Sequence, residues 1–193
     1  MKKKHIALLL ACVMLMGVAI GGTMAWLTDK SDQVTNIFTM SDITITLSET
    51  KGGDAKEFKM VPGHTIEKDP KVAVSDDSED CWLFVKVMES TTPDLDAYIS
   101  YAVAEGWEEV EVDAQDDVKV YGRIVNKTDA TKEFSILSGD KVTVLGSVTK
   151  EMMEAIATTQ PTLTFEAAAV QLYEGNDDAF AMDEAYAKVS WAS

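Results

Sequence analysis

Residues 81–89 read CWLFVKVME. Leu83, Val85 and Val87 fall on one side of a period-two pattern, and Trp82, Phe84 and Met88 fall on the other. Both faces are largely apolar, which predicts a central strand covered on both sides. Working outward, Ile43, Ile45 and Leu47 alternate with Thr44, Thr46 and Ser48, the pattern of a strand with one face on a core. A short strand is expected over residues 56–61, ended by Pro62-Gly63, and residues 65–74 read as extended. Pro70 should confine that part to an edge or a bulge. After Pro93 the period changes: Leu95, Tyr98, Ile99, Ala102 and Val103 match one face of a helix that Gly106 ends.

Further along, residues 107–112 and 118–125 read as two strands joined by an acidic turn. Residues 134–137 and 142–145 flank Ser138-Gly139-Asp140, a hairpin signal. Thr149 suits the cap of a short helix over residues 150–157. Residues 163–173 form a long strand, and residues 179–188 a last helical piece. Eight or nine short strands with a few short helices predict a mainly β fold, an antiparallel β-sandwich.

The chain has 193 residues, 17 Lys+Arg and 33 Asp+Glu, for a net charge of −16. That acidity argues against nucleic acid as a partner, since phosphates would be repelled. It argues equally against docking on anionic lipid through a basic patch. Hydrophobic content of 46% suits a globular domain.

The N-terminus has its own logic. Lys2, Lys3 and Lys4 precede an uncharged apolar run over residues 6–20, followed by Gly21-Gly22-Thr23-Met24-Ala25. This is the layout of a secretory signal peptide, with Thr23 and Ala25 placed for cleavage before Trp26. The competing reading is an uncleaved anchor, because residues 6–27 are long enough to span a bilayer. Both readings export the remainder, so contact with the membrane is expected only through this segment. Cleavage removes three lysines and no acid, leaving 14 bases against 33 acids, a net charge of −19. It also removes Cys12, so Cys81 is left alone among apolar neighbours, where a buried, inert thiol is expected. The expected organisation is a signal peptide over residues 1–25, an arm and candidate donor strand over 26–40, and the sandwich over 41–193.

Residues 21–49, GGTMAWLTDKSDQVTNIFTMSDITITLSE, resemble the start of TasA/camelysin-type exported proteins. The matching features are Ala25, Trp26, Thr28-Asp29, Asn36-Ile37-Phe38 and the strand over 43–47. Met40-Ser41 stands where that family often has glycine. SEDCWLFVKV, AYISYAVAEGWEEV, VYGRIV and LTFEAAAVQ are similar to its later segments, so the likeness covers nearly the whole chain. The resemblance implies a jelly-roll-like sandwich, processing by a dedicated SipW-type signal peptidase, and secretion to the matrix or surface of a bacterium. It implies a structural subunit of an extracellular or biofilm fibre, partnered by copies of itself or related exported subunits. Camelysins are cell-surface metalloendopeptidases, which gives an alternative function. A monomeric surface binding module is a third.

The residues weigh on these alternatives. A zinc peptidase needs about three protein ligands. The mature chain has one histidine, His64, in a Pro-Gly turn, and no H-E-x-x-H or G-x-S-x-G motif. No catalytic residues are therefore assigned, and no cofactor is expected beyond calcium. Asp76, Asp77, Glu79 and Asp80 form the best acidic loop for calcium, although their spacing is not that of an EF-hand and a solvated loop explains them too. Trp26, Leu27, Val34, Ile37, Phe38 and Met40 give the arm its apolar side chains. Such a segment either folds back as an edge strand or adds to a neighbour's sheet.

Overall fold

The computed structural model describes residues 42–50, 59–115, 117–174 and 178–191. All of them belong to one compact unit, residues 40–193. The expected signal peptide over residues 1–25, the expected cleavage residues Thr23, Ala25 and Trp26, and the expected arm over 26–40 lie outside the described residues.

The fold is mainly β, as expected, with antiparallel ladders throughout. The decisive stretch is β4 (Cys81–Glu89), lying between β10 (Leu163–Gln171) and β7 (Val118–Val125), with β6 (Glu108–Gln115) beyond β7. A three-stranded sheet runs β1 (Ile45–Glu49), β3 (Pro70–Val74), β8 (Glu133–Ser135). Val72 and Val74 of β3 share one core with Cys81, Leu83, Val85 and Val87 of β4. The other face of β4 buries Trp82 and Phe84 with Val110, Val120, Phe180 and Ala185. Both faces of this strand are therefore covered, as its largely apolar faces demand.

The third sheet consists of β2 (Thr65–Glu67), β9 (Lys141–Val144) and β5 (Ile99–Ser100). Helix α1 (Lys150–Ala155) follows it, capped by the Thr149 side chain, which accepts from the Met152 amide at 3.3 Å. β11 (Tyr173–Glu174) and β12 (Asp178–Ala179) form a small ladder before helix α2 (Met182–Tyr186).

Several expectations are corrected. The helix over 95–105 is absent: a 3-10 turn at Leu95–Ala97 leads directly into β5. Leu95, Tyr98 and Ile99 are buried as their spacing requires. The main chain, however, bonds elsewhere: Leu145 N donates to Tyr98 O, Ser138 N to Ala102 O and Ala104 N to Ile136 O. Residues 134–137 and 142–145 do not form a hairpin. β8 pairs with β3, and β9 pairs with β2 and β5. Gly139 (φ 66°) and Asp140 (φ 52°) carry the chain from one sheet to the other. Residues 65–74 likewise split between two sheets. Pro70 is not on an edge; it opens the middle strand of its sheet, where the first position tolerates a missing N–H. Of residues 56–61, the described part, 59–61, is not strand. The terminal helices are shorter than expected, and the strand over 163–173 breaks at Leu172, whose amide turns to Asp80 O.

Candidate functional site

Two kinds of surface feature stand out, open sheet edges and one cleft. In the four-stranded sheet, Ser90 N donates to Thr162 O and Leu172 N to Asp80 O, each between directly opposed residues. Antiparallel ladders alternate bonded and non-bonded pairs. The main-chain groups of Thr164, Glu166, Ala168 and Val170 therefore face β4. Those of Leu163, Phe165, Ala167, Ala169 and Gln171 point away from it, and among the described residues no strand pairs with them. The far edge, β6, is different: Glu108, Glu109 and Glu111 are exposed on it, and its register with β7 shifts between Val110 and Gln115. Acids and a bulge are ordinary protection for an edge. β1 is also an edge strand, and it presents Leu47 at 38% exposure.

The cleft has a volume of about 400 Å³ and brings together Glu89, Asp96, Tyr101, Lys119 and Tyr121. The Tyr101 hydroxyl donates to Glu89 Oε1. Burial raises the Glu89 carboxyl above its ordinary range, and Asp96 adds to this, while Tyr101 and Lys119 oppose it. Burial also pushes the Tyr101 and Tyr121 phenols up, with the Glu89 charge reinforcing both. In all three groups the protonated form is the one favoured.

Nearby, the Arg123 guanidinium lies 3.7 Å from the Phe134 ring centroid and 5.2 Å from that of Trp107. Gly106 (φ 88°) passes so close that a Cβ there would sit 3.3 Å from Arg123 Nη2. Burial lowers the Arg123 pKa. The stacked cation braces β7 against β8.

No protein-family model, curated protein or solved structure matches this chain. The remaining sequence candidates are placed as follows. His64 is exposed in the turn after Gly63 (φ 76°), its amide donating to Val61 O at 3.0 Å. Cys81 is buried, and burial pushes its thiol up to about 11, with Lys132 opposing. Asp76, Asp77 and Glu79 are exposed. Lys127 Nζ meets Glu79 Oε1 at 2.6 Å, and the Lys127 amide donates to Asp80 Oδ1 at 2.6 Å. These contacts tie the acidic loop to the turn at Asn126. Among the described residues, no three His, Cys, Asp or Glu side chains are grouped to hold a metal ion. No helix among them is long and apolar enough to cross a membrane.

The cleft was invisible in the sequence. Glu89 and Tyr101 are 12 positions apart, and Lys119 and Tyr121 arrive from another strand. The one available signal was a glutamate closing a largely apolar central strand.

Proposed function

We propose that this chain is a secreted structural subunit of a bacterial extracellular-matrix or cell-surface fibre, assembling when the arm over residues 26–40 adds as a strand to a neighbouring copy. The observation that carries the reading is a juxtaposition along the chain. An export-type segment and an apolar, strand-forming arm lead directly into β1, itself an edge strand with Leu47 exposed. An added strand gains main-chain hydrogen bonds along such an edge and side-chain pockets on alternate residues. A head-to-tail contact of this kind does not close and yields filaments.

Negative-stain microscopy of the exported chain, with mass spectrometry of its N-terminus, tests the reading. It requires filaments built from chains that begin at Trp26. Chains that retain residues 1–25 at the membrane, without filaments, would contradict it. The Glu89–Tyr101 cleft favours a second reading, a monomeric surface binding module, which the same images separate from the first.

A further inference from the structure

β10 runs nine residues with no proline and no bulge. Its one charged side chain, Glu166, is held by Lys86 Nζ at 2.5 Å. β1 approaches β10 without sharing a ladder with it. The outward main-chain groups of Phe165, Ala167 and Ala169 thus remain unpaired among the described residues. A long, neutral, regular edge is a template for another strand. The opposite edge of the same sheet carries acids and a bulge, so the protection is one-sided.

We propose that β10 pairs antiparallel with β10 of a second copy of this chain, about a two-fold axis at Ala167. The register admits this occupant, and charge favours it. Ala167 turns its N–H and C=O outward, so an axis there makes Ala167 bond its own symmetry mate. The same step pairs Phe165 with Ala169 of the second copy, and Leu163 with Gln171, again through outward-facing groups. A large residue meets a small one at Phe165, and Glu166 falls opposite Ala168, so no like charges oppose each other directly. The exposed strand β6 of a second copy would instead bring three glutamates to a chain already at −16. The β10 contact is isologous and closes at two copies. It uses a different edge from β1, so it stands independently of the fibre reading. Where fibres form, it joins them side by side rather than lengthening them.

Hydrogen exchange on the full mature chain across a concentration series in moderate salt, read beside sedimentation velocity, tests the proposal. The amides of Phe165, Ala167 and Ala169 should slow by at least about tenfold as dimer replaces monomer. Those of Thr164, Glu166, Ala168 and Val170, bonded to β4, should be slow throughout. Ala167→Pro removes only an outward N–H, a change edge strands accept, and should abolish the dimer. If that variant fails to fold, the exchange pattern of the unaltered chain still decides. A chain lacking residues 26–36 should keep the dimer. Concentration-independent exchange at Phe165, Ala167 and Ala169 overturns the proposal. So does a dimer that vanishes with the arm.

Discussion

Gly122 lies on β7 directly opposite Phe84 of β4. A Cβ there would stand 2.9 Å from Phe84 Cε1 and 3.1 Å from Met182 Sδ. Phe84 is fully buried against Trp82 and Tyr186, so it has nowhere to retreat. Gly122→Ala should therefore cost about 1–3 kcal/mol in urea unfolding, the usual penalty of overpacking. A variant as stable as the parent would show that the layer under α2 is loose. Glu89 gives a pH signature. Its carboxyl binds a proton more tightly folded than unfolded. The stability it contributes is present below the ordinary carboxylate range and lost as pH rises through the raised value. Glu89→Gln keeps an acceptor for Tyr101 and removes the titration. Unfolding at a series of pH values should show the variant gaining on the parent as pH rises above about 4, the ordinary carboxylate value. A constant difference would mean that Glu89 titrates alike in both states.

At the scale of elements, helix α1 is short and depends on its cap. Thr149→Ala should cost about 1 kcal/mol, measured by thermal or urea unfolding. An unchanged midpoint would assign its stability to Ile156 and the core beneath. The legibility of the elements follows from where their partners lie. CWLFVKVME announced its own burial because a central strand needs no outside information beyond two apolar faces. Leu95, Tyr98 and Ile99 fit a helical stripe by coincidence. Their burial was legible, but the segment over residues 136–145, which bonds the main chain of residues 98–104, was not. Ser138-Gly139-Asp140 has hairpin chemistry, and its left-handed residues are indeed used, yet they turn the chain between sheets. Pro70 misled because the first position of a strand is open to proline even at the centre of a sheet. Local pattern tells what a residue needs; it does not tell which of several strands supplies it. The Glu89–Tyr101 cleft and the Arg123 brace, assembled from three elements each, lay beyond that limit for the same reason.

At the scale of the whole molecule, a mainly β unit with acidic protection on β6 and, among the described residues, no like protection along β1 or β10 is suited to association through chosen edges. Its charge works against assembly. If residues 1–25 are removed, as the fibre reading requires, chains at a net charge of −19 repel one another, and salt of 0.1–0.15 M screens that repulsion beyond about 8–10 Å. On the fibre reading, Ile37, Phe38, Trp26 and Leu27 would be the apolar anchors that oppose it, a large apolar side chain being worth roughly 1.5–3 kcal/mol when buried. Filaments should accordingly lengthen with added salt and at acidic pH. The most direct measurement compares the mature chain with one lacking residues 26–36 and with Phe38→Asp, by sedimentation and electron microscopy at matched salt and pH. The fibre account predicts filaments from the mature chain and none from either variant, all three sharing the same folded spectrum. Identical filaments from the truncated chain, or none from the mature chain between pH 4 and 7 at any salt, would contradict it.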